Sequence, residues 1–200
     1  MPEISLTRID PTLLEWSAFD PQVKTLLTSH AICNAGKVVL IDPILPDAAV
    51  MAAISEMGMP CGIFLTNGNH ERASKKLSKL LNIPVASPAF AVKEFSFKPD
   101  IILDGLTQIY GFKPIAIPGA ALGEHALYCP KTQTLCIGDA LINFPSTGLA
   151  ILPDKYCLDP ALLKKSLRPL TLLKIQTLIF SHGSPMHHPM PALKKLIGAS

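Results

Sequence analysis

An α/β sandwich with much antiparallel sheet is the architecture that this sequence predicts. Short strand-like runs fill the chain before any helix does, and a β-α-β alternation follows only later. The apolar bulk is aliphatic, 48% hydrophobic against 6% aromatic, the make-up of a layered interior of Leu, Ile, Val and Ala. A chain of 200 residues can bury such a core without disulfides. Its 19 prolines are spread through turns rather than gathered in a hinge, so a single domain over residues 1–200 is expected.

The elements follow in order. "EISLTRI" and "LLEWSAF" read as opening strands, then "QVKTLLTSHAICN" and "GKVVLIDP" as an antiparallel pair. Asn34-Ala35-Gly36 between them supplies the positive φ that a tight hairpin needs. "LPDAAVMAAISEMG" has helical period, opens near Asp47 and stops at Gly58. The strand "CGIFLT" runs through a polar loop into "NHERASKKLSKLLN", a helix striped by Ala73, Leu77, Leu80 and Leu81. "IPVASP" is a short strand, and Phe95 to Ile117 reads as two or three strands broken at Asp104-Gly105 and at Gly111. "HALYCP" and "TLCIGDALI" form a hairpin turning near Lys131–Thr132, and Phe144 to Pro153 reads as a loop. A long helix from Pro160 to Lys174, the strand "TLIFSH" and the short helix "PMPALKKLIG" end the chain.

Charge and cysteine usage exclude several classes. Net charge is +3, and "KKLSKL", "LLKK" and "LKKLI" read as polar helix faces with no interleaved aromatics, so no nucleic-acid partner is expected. Only 16% of residues are charged, a sparse shell that favours self-association into a homo-oligomer. Five cysteines, Cys33, Cys61, Cys129, Cys136 and Cys157, have no CxxC spacing and sit mostly in apolar stretches, which points to a reducing compartment. No signal peptide and no membrane-length apolar stretch are visible, so a cytoplasmic protein without a membrane partner is expected.

Polar residues recur where strands end. Asn67, Asn69, His70, Glu71 and Arg72 follow "GIFLT", Gly119 and Ala120 follow "IAIP", Asp139 follows "TLCIG", and Ser181 and His182 follow "TLIF". Open sheets gather such ends on one edge, so these segments are expected to converge. His70 reads as a helix-start or surface histidine, since a neighbour of Asn69 in extended backbone points away from it. His187 and His188 read as a surface loop, and His30 and His125 as cross-strand residues. Ser181 and Ser184 flank His182 without a nucleophile elbow, and Cys136 is buried in a strand pattern.

From about Ser29 onward the order and spacing resemble the metallo-β-lactamase superfamily. "VVLIDP" matches the strand ending in a structural aspartate, Asp42. The H-x-H-x-D-H loop falls on Asn67-Gly68-Asn69-His70-Glu71-Arg72, and "PGH" falls on Pro118-Gly119-Ala120. The "GD" aspartate is Asp139 and the last histidine is His182 in "SHG". The resemblance implies a four-layered αβ/βα sandwich, two mixed β-sheets flanked by helices. It also implies an ancestor that hydrolysed an ester, thioester or lactam with a zinc-activated water.

The departures are extensive. The resemblance assigns one zinc to positions held here by Asn67, Asn69 and Ala120, and a second to Glu71, Arg72, Asp139 and His182. Zinc takes imidazole, thiolate or carboxylate, so the first set retains no strong ligand. Arg72 is a permanent cation, which repels a divalent ion ~4 Å away by about 8 kcal/mol at an effective dielectric of ~20. It is expected to bridge Asp139 and Glu71 as a planar fork. No cofactor is therefore expected. The fallback is one divalent metal, Zn, Mn or Fe, on Glu71, Asp139 and His182, or metal-free base catalysis by an Asp139–His182 pair with Arg72 as an anion clamp. The expected function is a hydrolase-like scaffold, inactive as a zinc enzyme, that binds a small-molecule or protein ligand. The alternative is a residual ester, thioester or lactone hydrolase.

Overall fold

The computed structural model describes residues 3–104 and 108–198. Its first sheet runs in sequence order: β1 (Ser5–Asp10), β2 (Leu13–Asp20), β3 (Thr25–Asn34), β4 (Lys37–Ile41), β5 (Met59–Phe64), β6 (Val85–Pro88) and β7 (Ile101–Leu103). Pairing is antiparallel from β1 to β4 and parallel from β4 to β7. The Ala35-Gly36 turn, both residues at positive φ (53° and 77°), joins β3 to β4 as the hairpin signal predicts.

After β8 (Lys113–Ala116), β9 (His125–Cys129) and β10 (Thr134–Ile137) come a separate hairpin, β11 (Leu141–Phe144) with β12 (Gly148–Ile151), and then β13 (Thr177–Phe180) and β14 (Met186–His187). The second sheet has the order β14-β13-β10-β9-β8, with β10 and β13 parallel and the remaining pairs antiparallel.

Alternation along the strands assigns each residue to a layer. In β4, Val38 and Leu40 face the helices α1 (Ala48–Met57) and α2 (Ser74–Leu81), whereas Val39 and Ile41 enter the core between the sheets. In β10 and β13 the facing residues Cys136 and Ile179 join that central core. Leu135, Ile137, Leu178 and Phe180 point outward, onto Leu163 and Leu167 of α3 (Pro160–Leu167) and Leu193 of α4 (Met190–Ile197). The result is two mixed sheets face to face with helices on both outer sides, as the sequence predicts.

Three elements differ from the sequence reading. The loop expected over Phe144 to Pro153 contains β12, because Leu149 and Ile151 pack on the second sheet's helix-side core and Gly148, at φ 68°, makes the turn. The long helix expected to Lys174 is α-helical only to Leu167 and continues as a 3-10 turn over Arg168–Leu172. Pro169 there lacks the N–H that an α-helix would require. The helix expected to begin near Asn69 begins at Ser74, after Arg72 has taken a left-handed φ of 43°. The break expected at Asp104-Gly105 lies partly outside the described residues. All five cysteines are free. Among the described residues no helix is long and apolar enough to cross a membrane.

Candidate metal centre

Parallel pairing puts the C-terminal ends of β4 and β5 side by side, and likewise those of β10 and β13. Backbone bonds then draw the two edges together. Thr28 N–H donates to the Ser181 carbonyl at 3.2 Å, and His125 N–H to the Thr66 carbonyl at 2.8 Å. Gly183 lets the chain turn after His182: at φ 117°, a Cβ there would meet the Asn143 carbonyl oxygen at 2.3 Å.

Asp42 is the buried root of the site, in a left-handed conformation (φ 46°) that few non-glycine residues adopt. Its carboxylate holds it there. Oδ1 accepts the Thr66 N–H at 2.8 Å, while Oδ2 accepts the Thr66 hydroxyl at 2.6 Å and the Ser181 hydroxyl at 2.7 Å. His70 Nδ1 lies 2.9 Å from the same Oδ2. Burial alone would raise this carboxyl, but His70, Arg72 and Thr66 reverse the shift and hold it at about 2.

His70 is fully enclosed, contrary to its reading as a surface histidine. The chain from Asn67 to His70 is a turn, with His70 N–H donating to the Asn67 carbonyl at 3.3 Å, so the alternation of extended backbone does not apply. With Asp42 ionised, Nδ1 carries the proton, and Nε2 faces Asp139 Oδ1 at 3.2 Å. His182 Nε2 approaches that same oxygen at 3.4 Å, with its Nδ1 3.4 Å from the Leu26 carbonyl. Burial would lower the His70 pKa, yet Asp139 and Asp42 lift it to about 9. Asp139 is held well below the usual carboxylate range; burial would raise it, and His70 and His182 outweigh that.

The other expected site residues are placed as follows. Arg72 donates Nη1 to the backbone carbonyls of Thr28 (2.6 Å) and Asp42 (2.8 Å), fastening β3 to the end of β4. Its Nε and Nη2 are buried without partners, so it forms no fork across Asp139 and Glu71. Glu71 faces away and binds the Ser96 N–H and hydroxyl, both at 2.5 Å. Asn69 is exposed and Ala120 is buried. Asn67 is buried, and its Nδ2 donates to Glu124 Oε2 at 2.7 Å. Burial and Asp139 push the Glu124 carboxyl well above its ordinary value, against the pull of His70 and Asn67. Glu124 carries no motif; a carboxylate leading directly into the apolar strand "HALYC" is its only trace in the sequence.

Residues 4–197 match the family model of the metallo-beta-lactamase superfamily, and the chain belongs to that superfamily. No functionally curated protein matches the sequence. Among solved structures, the DIM-1 metallo-beta-lactamase superposes with a TM-score of 0.78 at 13% identity, over 98% of each chain. VMB-1 gives 0.79 at 10% identity, over 100% of this chain and 97% of its own. The metallo-beta-lactamase from Pontibacter korlensis gives 0.74 at 14%, over 99% and 100%. At these identities the likeness establishes the fold.

The expectation of no cofactor is corrected here. His70, Asp139 and His182 offer ligand atoms that all lie within 4.8 Å of one another, in a chain of a metallo-beta-lactamase family. The donor set fits a divalent cation on three counts. Two imidazoles and a carboxylate are a common set for Zn or Fe. Asp139 Oδ1 is a buried acceptor with no well-formed hydrogen bond, although two imidazole nitrogens lie 3.2 and 3.4 Å away. Ligands ~2.05 Å from a tetrahedral zinc stand about 3.4 Å apart, the same spacing. Finally, Asp42 behind His70 is the carboxylate that orients a ligating histidine in many such centres. From sequence alone Glu71 is expected in this set and His70 is not; the structure places them the other way round.

Proposed function

We propose that the protein is a metal-dependent hydrolase of an ester-type bond (ester, thioester or lactone) that holds one divalent cation on His70, Asp139 and His182. The observation that carries this reading is His70, pinned between Asp42 and Asp139 with Nε2 directed at the other two ligand atoms. A dinuclear mechanism has no support from the residues, since Asn69 is exposed and Ala120 offers no donor.

A cation bound there would polarise a substrate carbonyl and lower the pKa of an adjacent water. The chain's own residues prepare that step. Asp42 fixes the His70 tautomer by taking its Nδ1 proton in a hydrogen bond, which leaves Nε2 for the centre. The Leu26 carbonyl does the same, at longer range, for His182 Nδ1. Thr66 and Ser181 hold Asp42 and so keep His70 from swinging. Arg72 locks β3 beside the site through the Thr28 carbonyl.

Elemental analysis of untagged protein, before and after loading with zinc or manganese, tests the reading. About one ion per chain is expected, lost in Asp139→Ala and in His70→Ala, with turnover of an activated ester or thioester that follows the ion. Protein that retains no ion at neutral pH would overturn the proposal and leave a ligand-binding scaffold as the better reading.

A further inference from the structure

Glu124 is a carboxylate with 2% exposure that none of the chemistry above uses. It projects from the turn before β9 and joins two loops. Oε1 accepts the Asp139 N–H at 2.8 Å and the Ala140 N–H at 3.3 Å, and Oε2 accepts Asn67 Nδ2 at 2.7 Å. Asn67 is itself fixed by accepting the Asn69 N–H on Oδ1 at 2.9 Å, which makes its assigned amide orientation self-consistent.

The space that admits Glu124 is created by Gly138. A Cβ there would stand 2.6 Å from Glu124 Oε1, 2.6 Å from Thr66 Oγ1 and 3.0 Å from Asn67 Nδ2. These contacts lie beside the backbone that carries Asp139, whose N–H Glu124 accepts. The Glu124 carboxylate accepts three protein hydrogen bonds there, one of them from the Asn67 amide, which turns its N–H, a donor rather than a ligand, toward it. A cation that took Glu124 as a ligand would compete with those three bonds.

We infer that Glu124 is a positioning residue of this centre: it sets Asp139 relative to the His70 loop, and its three hydrogen bonds keep it out of the ligand set. The inference rests on the single-cation reading above. It is separable from that reading, because it predicts how Glu124 variants change the affinity and spectrum of the ion rather than whether an ion binds.

The test is cobalt and zinc titration of the full metal-free chain, with ions per chain counted by native mass spectrometry and the cobalt absorption spectrum recorded. Wild type is expected to saturate at one ion. Glu124→Gln offers Asn67 an amide N–H where it needs an acceptor. It is expected to weaken binding about tenfold to a hundredfold and to change the cobalt spectrum, as loss of a group supporting a ligand does. Glu124→Asp keeps a carboxyl group and is expected to recover part of the affinity. A thermal melt of each metal-free variant separates this effect from loss of fold, since a merely structural role would lower Tm and leave the spectrum unchanged. Glu124→Gln with wild-type affinity and spectrum would overturn the inference and leave the one-site hydrolase reading standing, whereas two ions in wild type would overturn both. No ion in wild type would overturn that reading and this inference with it.

Discussion

Two polar clusters share a wall at the edge of this sandwich, and they have opposite characters. On one side Asp42, His70, Asp139 and His182 form a row whose central oxygen, Asp139 Oδ1, meets two imidazole nitrogens without a well-formed hydrogen bond. On the other side Asn67 and Glu124 form a closed knot in which the Glu124 carboxylate has donors on both oxygens. The knot is buried and the row buried or half-buried, and both draw residues from the loop after β5 and the end of β10. The difference is one of satisfaction. An unsatisfied acceptor between two imidazoles is a place for a cation, and a satisfied carboxylate is a structural part.

The comparison is most easily broken at Asp42. Replacing it with Ala leaves the Thr66 N–H, two hydroxyls and the His70 Nδ1–H without a shared buried acceptor. A loss of about 3–5 kcal/mol is expected, as when one partner of a buried pair is removed. In a chain this size the fall in Tm would be on the order of 10 °C. A melt within a few degrees of wild type would mean that Asp42 is not the root of the row.

The pH response should distinguish the metal-free row from the loaded one. His70 is raised from an ordinary 6.5 to about 9, so its contribution is complete below 6.5 and is lost as pH rises toward 9, a change on the order of 3 kcal/mol. Asp42 is lowered from 3.8 to about 2, so its contribution is complete above 3.8 and is lost as pH falls toward 2. Metal-free protein should therefore be most stable between those limits. A bound cation must displace the Nε2 proton, so its affinity should rise about tenfold per pH unit from 6.5 up to about 9. Urea melts and metal titrations at pH 6, 7 and 8 would give opposite slopes. Metal affinity flat across that range would remove His70 from the ligand set.

Arg72 sharpens the contrast from outside the row. Cutting it to Ala leaves the carbonyls of Thr28 and Asp42 without that donor and removes a cation near Asp139, so two effects compete. Stability should fall by about 1–3 kcal/mol, and metal affinity should rise because the nearby positive charge is gone. Reduced stability with weaker binding would indicate that the β3 clamp, rather than the charge, governs the site.

The layers were legible because β4, β5, β10 and β13 alternate apolar residues or bury both faces, a pattern that physical period alone imposes. Asp42, Asp139 and His182 were legible because each follows a strand directly, so the strand fixes its place. His70 and Glu71 were exchanged for a specific reason: the loop between Asn67 and Ala73 is a set of turns, and its left-handed Arg72 changes which neighbours share a face. Motif spacing assumes the relatives' backbone, and here that assumption placed a ligand one residue away. Glu124 was illegible because Asn67 reaches it only where the two sheets meet, and because Asp139 and Ala140, across the β9–β10 hairpin, hold it through backbone N–H groups that no residue type marks.

That exchange gives the smallest expected effect and a direct check on the assignment. Glu71→Ala removes two short bonds to Ser96 at a partly exposed site, so a loss of about 1 kcal/mol or less is expected, along with a loosened chain around Ser96. Metal content, metal affinity and the cobalt spectrum should match wild type, because His70 occupies the role that the motif gives to position 71. His70→Ala in the same titration should remove binding. If Glu71→Ala loses the ion instead, the loop must rearrange on loading, and the contrast between the open row and the closed knot would hold only for the metal-free chain.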